Sequence, residues 1–284
     1  MRCSLLNRFQ GTLLGANLGL VLAQLAQIYP HWRLWQALPS EIAALPLLPL
    51  IQHWSEVLIQ GDSELLALRI QPRDLPVTAF GLTLPLGLYY HDQPTQLEQQ
   101  IQVTLTAIAA TELASAVTAV NQAIAYILQE RGQPTELIPT LLAAGLPSPL
   151  SQCLVQVQRL QAEYIGLGPA IAAMADTEPV IAAIGLGFYA YLSTPTDVRL
   201  TLLRAIQTSP KVELTALVAG ALAGAEQGWT AIPISWRLQT PSDYPQAILS
   251  LADRLLAAWA GCDPVSQTPI ENLALSAPGV MRPR

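Results

Sequence analysis

Charge is what this sequence has least of. Asp, Glu, Lys and Arg make up 12% of its 284 residues, against about 25% in an average soluble protein. The 14 basic residues are outnumbered by 20 acidic ones, giving a net charge of −6. No basic run occurs, which excludes the electrostatic footprint of a nucleic-acid binder. The acids are scattered singly, so there is no acidic tail either. Cysteine is also scarce. Cys3, Cys153 and Cys262 are odd in number, far apart and free of any Cys-x-x-Cys spacing. That excludes a disulfide framework and a cysteine zinc site, and points to reduced thiols in a cytoplasmic protein. No strand pattern is long enough to build a sheet, and no repeat recurs at a fixed period of roughly 20 to 50 residues.

What is present is apolar and helical. Hydrophobic residues make up 51% of the chain, and the mean hydropathy is +0.37. Apolar residues recur at three- and four-residue spacing along most of the length. Helices are expected over 7–29, 45–60, 95–110, 112–130, 136–144, 148–162, 179–192, 194–206, 214–225 and 246–260, with a short one over 63–69. Ser148 is expected to cap its helix with Pro149 at the first helical position, and Leu150, Leu154 and Val157 to share its inward face. Gly166-Leu167-Gly168-Pro169 reads as a loop. Gly11, Gly15 and Gly19 recur every four residues, which puts three glycines on one helix face for close packing. Arg2 and Arg8 ahead of the apolar run resemble a signal peptide, and the glycine spacing also marks membrane helix pairs. The reading taken is a buried core helix, with membrane association set aside.

The stretch 205–236, AIQTSPKVELTALVAGALAGAEQGWTAIPISW, organises the rest. It reads as a helix end, a turn at Thr208-Ser209-Pro210, and an uncharged helix over Leu214 to Ala225. Gly220 and Gly224 among alanines keep that helix thin, and Gly228 suits its C-terminal cap. Val218 to Ala225, with Gly228, Ile232-Pro233 and Trp236, resembles the last signature of the ADP-ribosylglycohydrolase family. Arg8, Phe9, Gly11, Leu13, Gly15 and Gly19 match its first signature, and Pro85-Leu86-Gly87 matches an element near its active-site cleft. The resemblance implies an all-α fold: a single compact orthogonal helical bundle, expected here over 1–260, with a loosely held tail over 261–284.

Active members of that family are dinuclear-magnesium hydrolases. By the resemblance, Leu20 stands where an aspartate should be, and Leu47 falls on the second metal signature. Lys211 and Glu213 fall on the two aspartates of the last loop. Magnesium needs hard oxygen ligands in a nearly octahedral set. Two adjacent ions need several converging carboxylates, and Lys211 would repel them. The expectation is therefore a retired metal site with no cofactor, on a protein that binds, regulates or supports a structure. The alternative is a divergent hydrolase removing ADP-ribose from protein or small-molecule substrates. The partner is then an unidentified protein or a small nucleotide-like ligand.

Gly87, Tyr90, Gly166 and Gly168 are candidates for lining the cleft. Pro169 weighs against a phosphate cradle at the last two, because it removes a backbone donor. Lys211 and Glu213 read either as an ion pair or as two solvated side chains. His53, and the run Tyr89-Tyr90-His91, are read as packing residues rather than as ligand contacts.

Overall fold

The structure, a computed structural model, describes residues 3–28, 48–60, 75–208, 211–239 and 243–262. All regular structure among the described residues is helical, and no strand occurs. In chain order the helices are α1 (Leu5–Ile28), α2 (Leu48–Gln60), α3 (Leu75–Tyr89), α4 (Pro94–Ala107), α5 (Ala114–Leu128) and α6 (Leu137–Ala143). They continue as α7 (Ser148–Ala162), α8 (Leu167–Ala173), α9 (Pro179–Ser193), α10 (Val198–Ala205), α11 (Val212–Gln227), α12 (Ile234–Gln239) and α13 (Asp243–Trp259). Leu47, the Trp32 loop, the short 63–69 helix and the tail beyond Cys262 lie outside the described residues.

Two helices, α1 and α11, form the centre, and glycine is the reason. They run antiparallel, so Gly11 meets Gly224, Gly15 meets Gly220, and Gly19 meets Ala216. The opposing atoms are backbone. A Cβ built on Gly15 would overlap the Gly220 carbonyl oxygen, and one built on Gly19 would come 2.6 Å from the Ala216 carbonyl carbon. Glycine costs about 1 kcal/mol relative to alanine inside a helix, and here that cost is offset by contact no larger residue permits. By length and composition α1 would cross a membrane, yet 78% of its most apolar window is buried inside this chain. Both helices are apolar nearly all round because other helices cover their remaining faces. On α11, Val218 and the Thr215 carbonyl pack against Gly187 of α9, and Gly220 meets Leu202 of α10.

The helix starts show how local chemistry sets the ends. Glu178 caps α9, its carboxylate accepting from the Val180 and Ile181 amides at 3.0 and 2.9 Å. Asp197 caps α10 through the Leu200 amide at 2.9 Å, so that helix starts at Val198 rather than at Thr194. Two expectations are corrected. Ser148 is the first helical residue of α7, not its cap; Pro147 holds the cap position with no side-chain hydrogen bond, and Pro149 is the second helical residue. The Gly166–Pro169 stretch is helical from Leu167, with Gly166 at the cap. Pro169 falls within the first turn, where backbone N–H groups have no intrahelical partner to lose. The inward face of α7 is as expected: Leu150, Leu154 and Val157 are all buried.

Cys153 of α7 is buried against α9, with its Sγ 3.5 Å from the Ile181 carbonyl and 3.8 Å from Met174 Sδ. Burial pushes its thiol up to about 11 from 9.0, partly opposed by a hydrogen bond with the Gly185 backbone. The unfolded chain therefore releases this proton first as pH rises. Stability attributable to the thiol is intact below about pH 9 and is lost progressively between pH 9 and 11, by about 2–3 kcal/mol. Urea titrations at pH 8 and pH 10.5 should show a loss for the wild type that Cys153→Ala reduces. An equal loss in both would refute the assignment.

Candidate functional site

The antiparallel register decides which positions share an end of the molecule. Gly19 lies against Ala216, so Leu20 sits at the end of α1 that meets the first turns of α11. Lys211 caps α11 by position, with φ −106° and ψ 56° and no side-chain capping bond, while its carbonyl accepts from the Thr215 amide at 3.0 Å. Glu213 lies in the first turn of the same helix. A carboxylate there is favoured by the positive end of the helix dipole. Both side chains are half-buried. Leu20 is 1% exposed and belongs to the continuous apolar core. Three of the four positions singled out from the sequence therefore lie toward the same end of the central pair. The fourth, Leu47, lies outside the described residues.

The other candidates are placed as follows. Gly87 is buried in α3 against Asn121 of α5, whose Oδ1 occupies the space a Cβ would need. Asn121 is held there by its Nδ2, which donates to Thr83 Oγ1 at 3.1 Å and to the Val117 carbonyl at 2.9 Å. Gly87 is thus a contact between two helices, and Pro85 beside it sits inside α3, where it removes one ladder bond. Tyr90 is half-buried with its ring edge-on to Tyr89 at 4.9 Å. His91 packs between Phe9 and Trp259, with ring centroids at 5.8 and 4.9 Å, and its Nδ1 is 2.7 Å from the Leu88 carbonyl. These rings are occupied with one another, as the packing reading expects. Gly166 and Gly168 are exposed, with open space where each would carry a Cβ.

The sequence offered no candidate site residue at the opposite end of the central pair, yet a cavity of about 170 Å³ lies there. Arg8 of α1 and Glu226 of α11 face it, with Tyr126 and Ile127 of α5, Glu130 just beyond α5, and Tyr191 of α9. Arg8 was legible only as part of the first signature. Its partners are Ile127, in α5, and Glu130, just beyond that helix, both far along the chain, and neither carries a spacing that announces the contact.

Three comparisons bear on ancestry. A model of the ADP-ribosylglycohydrolase family matches residues 73–264. A search of curated proteins finds no match. A solved chain described as an ADP-ribosylglycohydrolase-related protein complex superposes with a TM-score of 0.61 at 18% identity, over 88% of this chain and 99% of that one. At that identity the likeness is one of fold.

Proposed function

This chain belongs to the ADP-ribosylglycohydrolase family, and from that premise we propose that it is a non-catalytic member, acting by binding, by regulation or as a structural component. One observation carries the reading: the donor chemistry of Leu20, Lys211 and Glu213, which lie toward the same end of the central pair. Two magnesium ions demand several converging carboxylates. The described residues at this end supply the Glu213 carboxylate, an ammonium from Lys211 and the methyl groups of Leu20, which is packed into the core. That set does not fit magnesium. The same proposal places the protein in the reducing cytoplasm, in keeping with its three free thiols.

Calorimetric titration of magnesium into the full chain tests this directly. The expected result is no binding tighter than about 1 mM. Micromolar binding that disappears in Glu213→Ala would overturn the proposal, as would magnesium-dependent release of ADP-ribose from an ADP-ribosylated arginine substrate. Either result would establish the competing reading, a hydrolase working through displaced carboxylates.

A further inference from the structure

Helix α7 packs one face against α9 and leaves the other to solvent. Leu150, Cys153 and Leu154 are buried on the inner side, while Gln152, Val155 and Gln158 are exposed. Val155 stands at the midpoint of α7 and is 51% exposed. The stretch around it is almost bare of charge. Across 137–175 the only charged residues are Arg159 and Glu163. These neutralise each other on the helix itself, Arg159 Nε donating to Glu163 Oε1 at 2.8 Å. Tyr164 follows directly. Its φ of +53° lies in the left-handed region, which a bulky residue adopts at a cost and where a helix end usually places glycine. Tyr164 is also 94% exposed, so burial within this chain does not offset that cost. An exposed aromatic at the end of an uncharged helix face is the kind of anchor that interfaces use.

Charge selects the occupant. A strongly charged partner finds no net charge to read on this face. Each copy of this chain carries −6 overall, so two copies repel through the surfaces that hold the acids and not through this one. We propose that α7 pairs antiparallel with α7 of a second copy, about a two-fold axis at Val155. Positions equally far before and after Val155 then face each other. Val155 meets its own counterpart on the axis. Gln152 comes opposite the second copy's Gln158. Gln152 Nε2 already donates to Ser148 Oγ at 3.1 Å, so its Oε1 accepts from the facing amide. Arg159 and Glu163 come opposite Ser151 and Pro147, and no charge meets a like charge. Tyr164 comes opposite the turn at Leu146 and Pro147, where its ring gains the burial it lacks in the single chain. The antiparallel arrangement also opposes the two helix dipoles favourably. A helix of 15 residues is about 22 Å long, which puts the contact at the small end of specific interfaces, with a dissociation constant of about 10–100 µM. This pairing does not depend on the loss of catalysis.

Sedimentation equilibrium on the full chain, from about 5 to 500 µM, tests the proposal, and a reversible dimer in the stated range is the expected result. Val155→Glu sets two carboxylates against each other on the axis and should weaken the dimer at least roughly tenfold, with the helical circular dichroism of the wild type. Tyr164→Ala should weaken it by a similar factor. Charges at the two facing glutamines test the register. Gln152→Lys with Gln158→Glu in one chain should tighten the dimer roughly threefold at low salt, and Gln152→Glu with Gln158→Glu should loosen it by at least as much. Both positions are exposed, so these variants keep the test decisive should Val155→Glu fail to fold. A chain monomeric to about 500 µM, a dimer indifferent to Val155→Glu, or two charge variants that shift the affinity in the same direction would overturn the proposal.

Discussion

Gly15→Val is expected to destabilise the protein by roughly 3–5 kcal/mol. Overpacking a core usually costs about 1–3 kcal/mol, because neighbouring side chains shift to make room. At Gly15 the neighbour is the Gly220 backbone, locked in the middle of α11, with its carbonyl carbon 3.0 Å from where Cβ would sit. That carbonyl cannot move without moving a helix that packs on α9 and α10 as well. The loss is large against the about 5–15 kcal/mol that holds a typical domain together. Gly168→Ala is the matched control. It lies in open space at the start of α8 with no positive φ, and alanine there should be neutral or about 0.5 kcal/mol more stable. Urea denaturation midpoints of the two variants decide the matter. Parity between them would mean that α1 and α11 do not meet backbone to backbone.

Leu20→Asp should cost about 4 kcal/mol or more at neutral pH. The change forfeits the burial of a leucine side chain, about 1.5–3 kcal/mol, and places a carboxylate without a partner in the core. Burial raises the aspartate pKa in the folded state above its unfolded value of about 3.9. The ionic part of the penalty is therefore absent below about pH 4, and grows as pH rises through the folded value. On the proposed reading, an aspartate at this one position does not bring back a metal, since the resemblance puts another carboxylate where Lys211 stands. Millimolar magnesium is accordingly expected to leave the melting temperature of this variant unchanged. A clear rise in magnesium, absent in sodium at equal ionic strength, would show that oxygens still gather there and would count against the retired-site proposal.

The helices and the central glycines were legible because they rest on local rules. Four-residue glycine spacing places small residues on one face whatever the rest of the chain does. The Gly228 cap acts within a single turn; Gly228 takes φ +73°, which glycine adopts without strain. The pairing register was not legible, because small residues on two smooth helices fit one another in several registers. It is fixed from outside the pair: Asn7 Nδ2 donates to Thr230 Oγ1 at 3.0 Å, and Asn7 Oδ1 accepts from the Thr230 amide at 3.2 Å, just past Gly228. The Gly-x-Gly-Pro stretch was misread because its composition is that of a loop, while a helix's first turn tolerates the same residues. At the candidate site, the positions came from a family signature and Leu20's burial came from the structure. Arg8's role depends on a carbonyl of Ile127, and a backbone acceptor has no signature in sequence.

The pairing of α1 with α11 also sets a constraint on biosynthesis. Ile28 leaves the ribosome about 180 residues before α11 begins at Val212, a delay of about 10 to 40 s at ordinary translation rates. Throughout that interval the longest apolar helix among the described residues lacks the partner it packs against most closely. Holding such a segment soluble is work for a chaperone, and depletion of ribosome-associated chaperones should aggregate this protein before it harms one whose core closes between neighbouring helices.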